Sequence, residues 1–126
     1  MSLTESVVTE LKALGGKPAE FKQMVSVTVD VSDIVNAVQT AKSAGFNMIS
    51  DVMGVDYLNY PQHQGKRFSV IYNLYSITEN ERMFIRINVN DGDSVPTITG
   101  VWHGANFMER EVYDMIGIEF AGHPVM

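Results

Sequence analysis

The chain has 126 residues and a formal net charge of −6, with 45% hydrophobic and 19% charged side chains. This length suits one globular domain, and the scattered basic residues of an acidic chain argue against a nucleic-acid-binding surface. Because it has no cysteine, the chain holds no disulfide, zinc–thiolate site or iron–sulfur cluster of its own, and no apolar run reaches the ~20 residues of a membrane span.

The N-terminal segment predicts a helix over residues 2–14. Ser2 and Glu5 have the spacing of a capping box, and Gly15 and Gly16 provide a stop. Helical periodicity places four apolar side chains on one face, namely Leu3, Val7, Leu11 and Leu14.

A strand and a second helix are predicted next. Residues 24–31 alternate valines with other side chains, which is typical of a strand. Ser32 is then expected to cap a helix over 33–44, with Gly45 just beyond its end. The apolar stripe of this helix consists of Ile34, Val35, Val38 and Ala41.

The middle of the chain predicts three strands. The first covers 46–58, with a bulge expected near Gly54, and is followed by a polar loop at 59–66. Two further strands, at 67–76 and 82–89, have a short link and are expected to form an antiparallel hairpin.

The C-terminal part predicts two helices. Ser94 is expected to cap a short one. The second covers 107–116, where Asn106 and Glu109 have capping-box spacing and Gly117 fits the position after the helix. Its core-facing stripe is expected to consist of Ala105, Met108, Val112 and Met115.

The resulting element order is α-β-α-β-β-β-α-α, in a single domain covering residues 1–126. Adjacent strands on short links, with helices between some of them, predict an α+β fold. We expect a two-layer α/β sandwich with a mixed or mostly antiparallel sheet.

The densest set of candidate functional residues lies on the last predicted helix. Glu109, Glu111 and Asp114 could form a paired-carboxylate acid/base site or a metal site. The alternative is a salt-bridged face that docks a partner, in which Arg110 and Asp114, and Glu109 and Tyr113, are i,i+4 neighbours. The docking face is favoured because the sequence indicates no cleft.

Other candidate sites are weaker. His103 and His123 flank the charged helix, but their separation matches no compact ligand spacing, and His63 lies in the polar loop. Residues 91–94 resemble the start of a calcium loop but lack its later ligands, so a tight turn is expected. A base-stacking platform is disfavoured by the acidic balance, since alternation explains the aromatic residues Tyr57, Tyr60, Phe68, Tyr72 and Tyr75 as sheet packing.

Residues 105–124 carry a specific pattern. It reads Glu-Arg-Glu, two residues, Asp, two apolar residues, six residues and His, and it is matched at Glu109, Arg110, Glu111, Asp114, Met115, Ile116 and His123. This segment closely resembles the signature of the 30-kDa subunit family of respiratory complex I, the NADH–quinone oxidoreductase. Residues 51–57 and 68–75 resemble two strands of the same family.

The resemblance implies a structural subunit without catalytic residues, in a proton-translocating NADH dehydrogenase (quinone). Such subunits lie peripherally, on the cytoplasmic side of the plasma membrane. They brace the large hydrogenase-like quinone-site subunit and the iron–sulfur subunits. FMN, iron–sulfur clusters, NADH and quinone belong to the parent complex, and no cofactor or metal is expected in this chain. An equivalent subunit of an energy-converting membrane hydrogenase and a stand-alone carboxylate/His metal-binding domain remain as alternatives.

The resemblance also implies which residues form the family signature and the partner interface. They are Asn106, Phe107, Glu109, Arg110, Glu111, Tyr113, Asp114, Gly117, Phe120, Gly122, His123 and Pro124. In the family a C-terminal extension follows the Gly-His-Pro segment, whereas this chain stops at Met126. A truncated form that lacks the extension is therefore expected.

Overall fold

A five-stranded sheet carries three helices on one face in the computed structural model, which describes residues 2–21 and 24–124. The helices are α1 (Leu3–Ala13), α2 (Ile34–Ala44) and α3 (Ala105–Ile116). The strands of the sheet are β1 (Lys17–Phe21), β2 (Met24–Thr28), β3 (Met48–Asp56), β4 (Phe68–Ser76) and β5 (Glu81–Val89). Two short strands, β6 (Val95–Pro96) and β7 (Phe120–Ala121), form a separate parallel pair.

The strand order in the sheet is β1-β2-β5-β4-β3, and every neighbouring pair is antiparallel except β2 and β5. Alternate residues of the paired strands point to one face, where Val27, Ile85, Tyr72 and Val52 lie in one row and are all buried. The helices cover this face and share one core with it. The predicted two-layer sandwich with a mostly antiparallel sheet is therefore confirmed.

Helix α1 begins as the sequence predicts. The Ser2 hydroxyl accepts a hydrogen bond from the Glu5 amide at 3.1 Å. A second acceptor is supplied from β5, because the Glu81 carboxylate accepts the amides of Leu3 and Thr4 at 3.2 and 3.0 Å. The Thr4 hydroxyl also donates to this carboxylate, at 2.7 Å. Its hydrogen bond, followed by those of the two amides, lowers the pKa of Glu81, and together they fix the start of α1 to the sheet.

Helix α2 differs from the prediction at its start. Asp30, not Ser32, is the capping residue: its carboxylate accepts the Ser32 amide at 3.0 Å and begins a 3₁₀ turn at Val31–Asp33 that runs into α2. The buried face also shifts, since Ala37 is buried and Val35 is exposed. Asp30 and Ser32 are both good capping residues, so sequence pattern alone did not separate them.

Three further local features differ from the sequence prediction. Residues 17–21 form the edge strand β1, which the sequence left unassigned because Lys17, Pro18 and Glu20 show no apolar alternation. The helix expected after Ser94 is replaced by β6. The bulge in β3 lies between Ile49 and Asp51 rather than near Gly54.

Two other predictions hold. Strands β4 and β5 form the expected antiparallel hairpin, with Ser76 paired to Glu81. At residues 90–93 the chain forms the expected tight turn, closed by a hydrogen bond from the Asp93 amide to the Asn90 carbonyl at 3.1 Å.

Candidate functional site

Helix α3 carries the charged signature and turns an unexpected residue inwards. Its buried side chains are Ala105, Glu109 and Val112, which recur at i, i+4 and i+7. The predicted capping box of Asn106 and Glu109 is wrong, because the residue before the helix is Gly104 and no side chain caps this end. The predicted stop is confirmed, since Gly117 has the left-handed conformation with φ of 79°.

The predicted apolar stripe of α3 is correct at Ala105 and Val112 but wrong at Met115, which is 81% exposed. We therefore expect Val112→Ala to lower the free energy of unfolding by about 2 kcal/mol. Met115→Ala is expected to change it by less than about 0.5 kcal/mol, as at other exposed positions. Urea titrations of the two variants check this, and equal losses would contradict the orientation of the helix.

Glu109 is the centre of the buried site, with no exposed surface. Its carboxylate accepts a hydrogen bond from the Thr97 hydroxyl at 2.5 Å and one from the Ile98 amide at 2.9 Å. Both donors follow β6, whose Val95 pairs with Phe120 of β7. The carboxylate thus joins α3 to the segment that precedes it, while the β6–β7 pair joins that segment to the chain after α3.

His123 closes the same site from the other side. Its side chain is fully buried, and Nε2 lies 2.9 Å from the Asn106 carbonyl oxygen. A carbonyl only accepts, so Nε2 carries a proton and donates it to this hydrogen bond. The same nitrogen lies 3.9 Å from Oε1 of Glu109. The first and last parts of the signature therefore meet at one buried point.

Burial is the main cause of the pKa shifts at this site. Desolvation raises the pKa of Glu109, and the hydrogen bonds from Thr97 and Ile98 and the nearby His123 oppose that rise. Burial, with a smaller contribution from the Glu109 charge, raises the pKa of Tyr72 well above its ordinary value. The Tyr72 hydroxyl is buried without a hydrogen-bond partner among the described residues.

The raised pKa of Glu109 predicts a pH effect on stability. A carboxyl group with a higher pKa in the folded state than in the unfolded state favours folding at low pH. That contribution is lost as pH rises above about 4.3 and through the folded value. The wild type should therefore lose stability relative to Glu109→Gln as pH rises from about 4 to 7. Urea unfolding of both proteins across this range measures the difference, and parallel curves would show that the carboxyl group is not perturbed.

The outer face of α3 is exposed. Arg110, Glu111 and Asp114 are all exposed, and Phe107 has 77% of its surface accessible. The described part of the chain gives Arg110 and Asp114 no ion pair within 4.0 Å, although they are i,i+4 neighbours. The expected salt bridge between Arg110 and Asp114 is therefore absent from the described residues. Of the charged residues on α3, Glu109 is the one held by hydrogen bonds inside the domain.

The other signature residues serve the turn beyond α3. Phe120 is buried, Tyr113 is half-buried and Pro124 is exposed. Gly122 has φ of 84°, a conformation that residues with a side chain rarely adopt. A Cβ added there would also lie 3.3 Å from Thr97 Cγ2, which is a tight contact. These residues hold the chain close enough for His123 to reach the carboxylate.

Within residues 2–21 and 24–124 no three side chains of the His, Cys, Asp and Glu types form a group that could hold a metal ion. Glu111 is exposed whereas Glu109 and His123 are buried, so these three candidate ligands of a carboxylate/His metal site do not lie together. Thr97 and Ile98 complete the site instead. Sequence reasoning missed both, because nothing in a local pattern marks a residue that binds a side chain 11 or 12 positions later.

The fold and site define a two-layer α/β domain whose C-terminal helix is fixed by the hydrogen bonds of buried Glu109 and His123 and exposes a charged face. The chain belongs to the family described as "Respiratory-chain NADH dehydrogenase, 30 Kd subunit", whose profile matches residues 27–126. This confirms the resemblance seen in the signature segment.

Curated relatives carry the corresponding names. NADH-quinone oxidoreductase subunit 5 of Thermus thermophilus is 46% identical over 89 residues, covering 66% of this chain and 43% of that protein. The C-type subunit of the NADH-quinone oxidoreductase of Geobacter sulfurreducens is 43% identical over 107 residues, covering 83% of this chain and 64% of that protein. The chain thus spans about half the length of the relatives it matches.

Solved structures share the fold. A trypsin-resistant fragment of Nqo5 superposes with a TM-score of 0.91 at 36% identity, covering 98% of this chain and 99% of that chain. A chain of an archaeal membrane-bound sulfane sulfur reductase superposes with a TM-score of 0.80 at 19% identity, covering 98% of this chain and 73% of that chain. The second match concerns the fold alone.

Proposed function

We propose that this chain is the conserved domain of a structural subunit in the peripheral arm of an NADH–quinone oxidoreductase. Its role is to bind neighbouring subunits and hold their relative positions while electrons pass from NADH to quinone, coupled to proton translocation. The observation that carries the proposal is the outer face of α3, formed by Phe107, Arg110, Glu111, Asp114 and Met115. Family membership and the names of the relatives support it.

The outer face of α3 has the composition of an interface. Phe107, Glu111 and Met115 recur every four residues and therefore lie in one row along the helix. Two large apolar side chains at 77% and 81% exposure are costly in water, and aromatic and methionine side chains are enriched where proteins bind one another. A partner that covers this row would bury both.

The buried Glu109 site gives this face its rigidity. Hydrogen bonds from Thr97 and Ile98 to Glu109 fix the helix to the segment before it. The hydrogen bond from His123 to the Asn106 carbonyl fixes it to the segment after it. A rigid surface loses little conformational entropy when it binds. One side of α3 thus packs in the fold while the other is available to a partner. A subunit that holds its neighbours in position needs both properties.

The proposed partners are the large hydrogenase-like quinone-site subunit and the iron–sulfur subunits. FMN, the iron–sulfur clusters, NADH and quinone are bound by those other chains, and this chain takes no part in the chemistry. Its proposed location is peripheral, on the cytoplasmic side of the membrane. In the described part of the chain no helix is both long and apolar enough to cross a bilayer.

The test compares assembly with stability in one variant. In the full-length subunit, Glu111→Ala should weaken incorporation into the complex, because it leaves a partner's charge unpaired. In the isolated domain it should change the free energy of unfolding by less than about 0.5 kcal/mol, since an exposed carboxylate contributes little to the fold. Co-purification of the other subunits and a urea titration measure the two quantities.

Glu10→Ala is the matched control, because Glu10 is an exposed glutamate on α1. It should alter neither assembly nor stability. A large loss of stability with normal assembly for Glu111→Ala would show that the charged cluster is an internal brace only, and the proposed interface on α3 would have to be abandoned.

A further inference from the structure

Among the described residues no helix packs on the face of the sheet opposite α1, α2 and α3, and Tyr57, just beyond β3, reaches Arg86 on it. Strand register places two adjacent rows on it, one running through Thr28, Arg86, Ile71 and Met53 and the other through Ser26, Phe84, Asn73 and Asp51. All of these side chains are half-buried. We call this surface the open face.

The open face is basic although the protein is acidic. Its strands place Lys17, Arg82 and Arg86 there and only one carboxylate, that of Asp51. The chain as a whole has 15 acidic and 9 basic residues. The charge of this surface is therefore opposite in sign to that of the protein.

The two arginines of β5 have only neutral partners. Arg86 donates to the Ser69 hydroxyl at 3.2 and 3.1 Å and to the hydroxyl of Tyr57. Arg82 donates to the Asn73 side-chain oxygen at 2.5 Å and lies 5.0 Å from the centre of the Tyr75 ring. Neither forms an ion pair with any carboxylate of the described residues.

Arg67 shows the contrast. It pairs with Asp56 at 2.9 Å and with Asp91 at 2.8 Å, so a guanidinium of this chain can find two carboxylates. Half-buried Arg86 has hydrogen-bond partners but no counter-charge among the described residues, and a carboxylate from outside would supply one. Phe84 lies between the arginines on the same side of β5 and offers an apolar contact.

We propose that the open face binds a protein segment that presents carboxylates to Arg82 and Arg86 on either side of an apolar side chain that packs on Phe84. Two residues of a strand advance ~6.7 Å, so the two arginines are ~13 Å apart along β5. This surface is separate from α3, which packs on the other side of the sheet at Gly54. That the segment belongs to another subunit of the same complex rests on the function proposed above.

Zero-length carbodiimide coupling in the purified complex tests the proposal. Arg86→Lys and Arg82→Lys, made separately in the full-length subunit, keep the charge and introduce an amine that couples only to a carboxylate in contact. Mass spectrometry then identifies the linked peptide. Two variants are used because Arg86 is half-buried and donates hydrogen bonds to Ser69 and Tyr57, whereas Arg82 is exposed and donates to Asn73. Arg67→Lys is the matched control, expected to link to Asp56 of its own chain.

The expected result is a link from β5 to an aspartate or glutamate of a different subunit. A link confined to Asp51 or another carboxylate of the same polypeptide overturns the proposal. It is equally overturned if the introduced amine is freely acetylated, which shows an uncovered face. An amine that is shielded from acetylation but forms no link shows a partner without carboxylates, such as a lipid, and also overturns it.

A charge reversal gives a second measurement. Arg82→Glu should reduce retention of the subunit in the complex on the order of tenfold, whereas Lys12→Glu, on the exposed surface of α1, should not. Failure of the proposed function would appear as an unaltered subunit that does not co-purify with the complex. Failure of this inference alone would appear as normal co-purification without a link from β5.

Discussion

Replacing Glu109 by alanine is expected to lower the free energy of unfolding by about 2–4 kcal/mol. The change leaves the Ile98 amide without its acceptor inside the protein and removes a buried side chain that fills the space between α3 and residues 97–98. Removing the charge also removes its desolvation cost, which is why the expected loss is not larger. Thermal unfolding should shift downwards by ~10 °C.

Two variants separate the causes of this loss. Glu109→Gln keeps an acceptor for the Ile98 amide and nearly the same volume, so it should cost about 1 kcal/mol. Glu111→Ala, two residues further along the same helix but exposed, should be nearly neutral. If Glu109→Ala were as mild as Glu111→Ala, the carboxylate would not be the link between α3 and the segment before it.

Gly54→Val is expected to destabilise the domain by about 3 kcal/mol or more, because it overpacks the contact of β3 with α3. A Cβ at this position would lie 2.5 Å from Ile116 Cδ1 and 3.0 Å from Val112 Cγ1. The end of the Ile116 side chain can move, so Gly54→Ala should cost less. Valine adds two methyl groups that require displacement of the helix itself.

Gly100→Ala is the control, since a Cβ there meets nothing within 4 Å. Combining Gly54→Ala with Ile116→Ala should recover part of the loss, because the second change opens space at the contact. Urea titrations of the single and double variants measure the coupling. Purely additive losses would show that the two positions do not oppose one another.

The sequence by itself determined several local features. The cap at Ser2, the alternation of β4 and β5, and the stop at Gly117 each depend on residues a few positions apart, and each is present in the structure. The order of the predicted helices and strands also indicated the fold class. Short connections between adjacent strands limit how helices and sheet can pack into layers. The family followed from the spacing of one charged segment.

Where two local signals competed, the sequence did not decide. Asp30 and Ser32 are both suitable caps, and in the structure it is the Asp30 carboxylate that caps the 3₁₀ turn. The edge strand β1 has no apolar alternation because it lies at the border of the sheet, where β2 is its one strand partner among the described residues. The strand β6 exists only because β7 pairs with it from 25 residues further along, Val95 with Phe120.

The site was decided by tertiary structure. Helical periodicity assigned Glu109 to the charged surface of α3, because a carboxylate is expected to face water. The structure turns it inwards, and the reason lies 11 and 12 residues earlier, where the Ile98 amide and the Thr97 hydroxyl supply the hydrogen bonds that make burial tolerable. A buried charge is stable only where its partners meet it in space, and sequence spacing along one helix contains no information about those partners.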